Sequence, residues 1–135
     1  MKKPRLLNIG SGVKEFTPKS ITDAFTVVRL DIDEDVKPDV VATATEIPFD
    51  NESFEAVYAS HVLEHIDLRV YPNVLHTWYR VLKPGGQMYI LVPNLSLVAE
   101  KILENDHREI TGINEYLQAG QVGGTKTAYE AEQIM

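Results

Sequence analysis

Two glycines bracket a serine directly after a short apolar run, where Asn8-Ile9-Gly10-Ser11-Gly12 closes the stretch Arg5 to Ile9. Glycine lets the backbone turn sharply and lets a ligand come close at the carboxyl end of a strand. The same two glycines serve equally in a plain tight turn. About 20 residues further on, Asp31 ends a second apolar run, Thr26-Val27-Val28-Arg29-Leu30. An acid there can accept hydrogen bonds from both hydroxyls of a ribose. Asp33, Glu34 and Asp35 crowd beside it, so a solvated loop acid is the alternative. A dinucleotide-binding turn wants a third glycine three residues after Gly12, and that place holds Glu15. A carboxylate there repels a pyrophosphate, so a nicotinamide cofactor is disfavoured and a ligand without phosphates is tolerated. His61 and His65 are four apart and would share one face if their segment is helical. Histidines so spaced can hold a metal, but no third ligand is apparent and none is expected.

The elements that must position these residues read as alternating strands and helices. After the two runs above, Asp39-Val40-Val41-Ala42 is a brief third strand and Ala56-Val57-Tyr58-Ala59 a fourth. Only 13 residues separate Gly12 from Thr26, and Pro18 is among them, so any helix in that first crossover is short. Val70, Val74, Leu75, Trp78, Val81 and Leu82 fall on one helical face, which predicts a helix from about Val70 to Leu82. Lys83-Pro84-Gly85-Gly86 stops it and turns the chain into a fifth strand, Met88 to Val92, a mechanical task with no chemistry assigned. Leu95 to about Glu104 reads as a further amphipathic helix with Asn94 or Ser96 as its cap. This order points to one α/β domain over 1–135, a doubly wound, mostly parallel, Rossmann-like sheet of about five strands with flanking helices. Its core lies in 5–95, and 96–135 reads as a helical and irregular tail. Past Val92 no convincing strand appears; Gln118 to Thr125 is glycine-rich, and a helical start is read near Tyr129.

Bulk composition bounds the partners. The chain has 135 residues, 44% of them hydrophobic and 24% charged, as in an ordinary globular domain. A net charge of -7 argues against a protein that grips nucleic-acid backbones. No apolar run is long enough to span a membrane, and the absence of cysteine agrees with a cytoplasmic location.

The motifs together resemble the class I S-adenosylmethionine (SAM)-dependent methyltransferases, most of all the small type 11 members with a shortened first crossover. Asn8-Ile9-Gly10-Ser11-Gly12, Leu30-Asp31-Ile32-Asp33 and Glu46-Ile47-Pro48-Phe49-Asp50-Asn51-Glu52-Ser53-Phe54-Glu55 carry the likeness. Ser60-His61-Val62-Leu63-Glu64-His65 and Arg80-Val81-Leu82-Lys83-Pro84-Gly85-Gly86 continue it, all in register over roughly 5–95. The resemblance implies SAM as cofactor and S-adenosylhomocysteine as product. It implies that Gly10 and Gly12 pass close to the methionine part, flanked by Asn8 and Ser11, and that Asp31 takes the ribose hydroxyls. Ile32 would pack on the adenine. The family often has an Asp after the third strand for the adenine amino group; here Thr43 stands there, followed by Ala44, whose backbone N–H is still available. Ser60 and His61 would lie near the sulfonium and the substrate mouth. If the acceptor is a hydroxyl, His61 is the candidate base. His65 with Glu64 reads as structural, holding a helix start against the sheet.

Members of the family continue with a final antiparallel strand pair, which this chain is expected to lack. The fifth strand would then be an exposed apolar edge, and such edges seek pairing. The expectation is self-association, with the edge covered by the chain's own tail or by a second copy. Two functions follow: transfer of a methyl group from SAM to an unidentified small-molecule acceptor, or a non-catalytic SAM-binding or interaction module of the same fold.

Overall fold

The computed structural model describes residues 2–103 and 124–130. Arg5–Ile9 (β1) is buried at every position but its first, as a strand covered on both faces must be. Thr26–Asp31 (β2) and Phe54–Ser60 (β4) flank it in parallel, Leu7 lying beside Val28 on one side and Val57 on the other. Val40–Val41 (β3) adds to β2, and Leu82–Pro93 (β5) adds to β4. These five parallel strands are the expected α/β sheet.

A sixth strand, Gly124–Glu130 (β6), runs antiparallel to β5 from Gln87↔Glu130 to Pro93↔Gly124. The sheet order is therefore β3-β2-β1-β4-β5-β6. Two expectations fall here: the tail does hold a strand, and Tyr129 is within it and not in a helix. The edge of β5, expected to be covered by the chain's own tail or by a second copy, is paired by the tail. Gly124-Thr125-Lys126-Thr127-Ala128-Tyr129-Glu130 alternates without a clear apolar face, but it needs only β5's free N–H and C=O groups to pair. The end of the last expected helix at Glu104 and the glycine-rich stretch up to residue 123 lie outside the described residues.

The first crossover contains a six-residue helix, Lys19–Ala24 (α1), as short as the spacing demanded. It covers the face that carries Leu6, Ala56 and Tyr58, through Ile21 and Phe25. On the other face Leu7, Ile9, Val57, Ala59, Met88 and Ile90 pack with Val74 and Trp78 of Tyr71–Arg80 (α2). Helices on both faces make the sheet doubly wound. Leu95–Leu103 (α3) follows β5, and its N-terminus is capped by Asn94, whose Oδ1 accepts from Leu97 N–H at 3.1 Å.

Strand β5 begins at Leu82, well before the expected Met88. Phe54 pairs with Leu82 and Ala56 with Gln87, so Lys83-Pro84-Gly85-Gly86 bulges out of an otherwise continuous pairing. A Cβ on Gly86 would lie 2.8 Å from the Lys83 carbonyl and 3.1 Å from that of Glu55, so the close approach of backbone requires glycine there. The segment, expected to stop the helix and lead into the strand, lies within the strand itself.

Candidate active site

Strand order reverses between β1 and β4, and in open α/β sheets ligands bind outside the carboxyl ends of the strands at such a switch point. The turn after β1 and the loop after β4 meet there. Gly10 and Gly12 are both left-handed, with φ of 62° and 60°. At Gly10 a Cβ would collide with Val62 of the β4 loop, and at Gly12 it would lie 2.9 Å from the Phe16 ring. Both glycines serve the left-handed turn, and at Gly10 the two loops fit together only without a side chain.

Asp31, half-buried at the end of β2, reaches across to this turn. Its Oδ2 accepts from Gly12 N–H at 2.8 Å and its Oδ1 from Asp33 N–H at 2.9 Å. A carboxylate has about four acceptor directions, so capacity remains for two ribose hydroxyls. Ile32 stands beside it with 69% of its surface exposed, an apolar face at the rim. Ser11 is buried, its N–H donating to Leu30 C=O at 3.1 Å and its hydroxyl to Gly12 C=O at 3.1 Å. Asn8 is buried as well, and its amide donates to Thr17 Oγ1 at 3.1 Å. Its side chain therefore braces the returning turn. Thr43 places its hydroxyl 3.0 Å from that of Thr45, while the Ala44 carbonyl accepts from Trp78 Nε1 at 2.7 Å. Trp78 is fully buried and ties the loop after β3 to α2.

At the end of β4, Ser60 is half-buried, near the Tyr58 phenol. Burial pushes that phenol up, and Ser60 pulls it partly back. His61 has φ of 58°, a left-handed conformation uncommon outside glycine, and its N–H is held by Leu91 C=O at 2.8 Å. The helix face expected for His61 and His65 does not form. A left-handed residue cannot open an α-helix, and only a single 3-10 turn follows, Leu63–His65. In consequence His61 turns inward, its side chain 5% exposed, and His65 outward at 70%. His65 holds nothing against the sheet. Glu64 lies between them, Oε1 being 3.5 Å from His61 Nδ1 and 3.7 Å from His65 Nε2. The Tyr71 hydroxyl donates to Leu63 C=O at 2.6 Å and fixes this turn.

Sequence reading missed Arg29. It is nine-tenths buried within β2. Its Nη2 donates to the carbonyls of Gly12 and of Val36 (2.9 Å), and its Nη1 to Lys37 C=O at 3.0 Å. One guanidinium therefore ties the glycine turn to the loop after β2. A charge in the middle of Val27-Val28-Arg29-Leu30 was the available signal, since a covered strand seldom carries one.

The site suits a nucleoside without a pyrophosphate. Six residues separate Gly12 from the start of α1 at Lys19, and a 3-10 turn, Lys14–Phe16, with exposed Glu15, fills the place. No helix N-terminus therefore faces the glycine turn to receive phosphate. Asp31, Asp33, Glu34 and Asp35 make the rim anionic, which favours a cationic ligand such as a sulfonium. SAM has the ribose, the positive charge and no phosphate, so the residues present fit it. Among the described residues no cluster of three or more ligating side chains could hold a metal.

A doubly wound sheet with left-handed glycines after β1 and a carboxylate at the end of β2 is the arrangement of an α/β nucleoside-binding domain. The chain belongs to the methyltransferase-domain family, whose model matches residues 7–90. The cofactor that goes with this family and fold is SAM. The chain is similar to the biotin biosynthesis bifunctional protein BioHC of Cellvibrio japonicus, 34% identical over 99 residues, which cover 65% of this chain and 19% of that protein. In structure it is similar to the PH0226 protein of Pyrococcus horikoshii, with a TM-score of 0.63 at 24% identity, over 76% of this chain and 55% of that one. It is also similar to the Burkholderia thailandensis 1,6-didemethyltoxoflavin-N1-methyltransferase, solved with 1,6-didemethyltoxoflavin and S-adenosylhomocysteine bound. There the TM-score is 0.58 at 17% identity, over 69% of this chain and 46% of that one. The chain spans less than two thirds of each of these relatives.

Proposed function

We propose that the chain transfers a methyl group from SAM to a small-molecule acceptor at the carboxyl edge of β1, β2 and β4. The observation that carries this reading is Asp31: its carboxylate accepts from Gly12 N–H, so an acid able to take ribose hydroxyls stands beside the glycine turn. Methyl transfer from a sulfonium uses an already activated donor, so the protein's work is to align the acceptor and exclude water. Asp31 and Ile32 hold the nucleoside, Thr43 and Ala44 border the base, and Gly10 to Gly12 shape the path of the amino-acid part. Ser60 and His61 border the acceptor side. Their place beside the glycine turn follows from Val62, which packs on Gly10.

The test is calorimetric titration of the chain with SAM, S-adenosylhomocysteine and NAD, alongside Asp31→Ala. Micromolar binding of SAM or S-adenosylhomocysteine, lost in the variant, is the expected result. Failure of both to bind would refute the reading, and binding of NAD alone would replace it.

A further inference from the structure

Among the described residues, four polar atoms in the loop after β4 are buried without a hydrogen-bond partner: both ring nitrogens of His61 and both carboxylate oxygens of Glu64. Buried polar groups are nearly always satisfied, and an unpaired carboxylate is among the costliest exceptions. Here the two unsatisfied groups face each other, with Nδ1 of His61 and Oε1 of Glu64 3.5 Å apart. The backbone maintains the arrangement at a cost, since His61 is left-handed. Its neighbour Val62 touches the glycine turn, so the pair stands next to the place of the methyl donor. Among the described residues Glu64 is the charged group within ion-pair reach of the His61 ring, with exposed His65 on Glu64's far side.

We propose that Glu64 is a positioning residue that orients His61 as a base, and that the methyl acceptor is therefore a group that gives up a proton on methylation, such as a hydroxyl. The inference rests on the methyltransferase reading above. Closing the gap to about 2.8 Å gives a charge-assisted hydrogen bond from Nδ1–H to the carboxylate. Nε2 is then the bare nitrogen that accepts a proton, and the carboxylate stabilises the imidazolium that results. With a hydroxyl acceptor, the oxygen forms its bond to the methyl carbon as the carbon–sulfur bond breaks. The bonding pair stays on sulfur, the hydroxyl proton passes to His61 Nε2, and the imidazolium later releases it to solvent. A carboxylate or a tertiary amine has no proton to give up and would make no use of such a pair.

Nitrogen-15 NMR of the histidine rings in the full chain tests the proposal without knowledge of the acceptor. In the wild type His61 is expected as the Nδ1–H tautomer. In Glu64→Gln the ratio of Nδ1–H to Nε2–H falls about tenfold, the effect of losing one charge-assisted bond. A second measurement asks whether His61 faces the donor. SAM carries a sulfonium and S-adenosylhomocysteine does not. A unit charge within about 6 Å, at an effective dielectric of about 40, lowers the imidazolium-to-imidazole ratio about tenfold at fixed pH. That ratio is expected to differ between the two ligands at His61 and to be equal at His76. A purely structural Glu64–His61 contact would show the tautomer effect and no ligand effect. An unchanged tautomer in Glu64→Gln, or the same His61 ratio with both ligands, would overturn the proposal. If neither ligand binds, the function above fails, while the tautomer comparison in the free chain still decides the pairing.

Discussion

Replacing Arg29 with Met keeps a long apolar stem in β2 and removes the guanidinium that holds three carbonyls, those of Gly12, Val36 and Lys37. Hydrogen bonds from a charged donor are worth about 1.5–3 kcal/mol each. Against their loss stands the desolvation of a buried cation, several kcal/mol, which the variant no longer bears. The net cost to stability is therefore about 1–3 kcal/mol. The effect on binding is separate. Without the strap, the glycine turn and the loop after Asp31 must be ordered when the nucleoside arrives. Fixing one or two residues costs about 2 kcal/mol, which weakens binding about 30-fold. Calorimetry with S-adenosylhomocysteine reads the affinity, and urea unfolding reads the stability. Arg29→Lys keeps the charge without the fork, and a single ammonium cannot serve two loops. It is expected to bind S-adenosylhomocysteine nearly as poorly as the Met variant. Wild-type affinity in Arg29→Met would refute the strap, and wild-type affinity in Arg29→Lys would show that charge alone suffices.

Other perturbations separate the remaining parts. Gly10→Ala adds about 1–2 kcal/mol for the left-handed backbone and about 1–3 kcal/mol for the collision with Val62. It should lower S-adenosylhomocysteine affinity at least about tenfold by calorimetry, and undiminished binding would show that the two loops part easily. Trp78→Phe leaves the Ala44 carbonyl without its donor and opens a small void, costing about 2–4 kcal/mol in urea unfolding. At the opposite edge, the Lys83 ammonium and then the Arg5 N–H hold the Glu55 carboxyl below its ordinary value of 4.5. A depressed carboxyl stabilises the fold above the unfolded-state value and loses that contribution as pH falls through the folded one. Wild type should thus exceed Glu55→Gln in stability at pH 6 by less than about 1 kcal/mol, since the pair is solvent-exposed. The two should converge below pH 4.5. A gap that widens in acid would contradict the sign.

The parallel core was legible because its signals are local. Arg5 to Ile9 is a short, mostly apolar run ended by glycines and Ala56 to Ala59 an unbroken apolar one, and the period of Val74, Trp78 and Val81 points to a helix. The crossover between Gly12 and Thr26 had too few residues for more than a short helix. What escaped was set by partners distant in sequence. Strand β6 has no apolar stripe of its own, and pairing with β5 selects its conformation. The first part of β5 was hidden because Lys83-Pro84-Gly85-Gly86 reads as punctuation, although the backbone resumes pairing around it. His61 was read onto a helix because spacing carries no information about a left-handed residue at its start.

The same division runs through the site. Gly10, Gly12 and Asp31 were legible as types at a spacing, but what fastens them is not local. The glycine turn is closed by Val62 from the β4 loop and by Arg29 from β2; the loop after β3 is pinned by Trp78 from α2; His61 is pinned by Leu91 from β5. Each loop at the carboxyl edge thus takes its restraint from a different element. A change in any of these supports therefore acts on ligand affinity through the ordering cost, even where the altered side chain touches no ligand. On this view Arg29 and Trp78 belong with Asp31 among the determinants of binding, with Asp31 the residue proposed to contact the ribose. The separation between them is measurable. Asp31→Ala should abolish the binding enthalpy contributed by the ribose bonds, whereas Arg29→Met should retain it and lose affinity in the entropy of association.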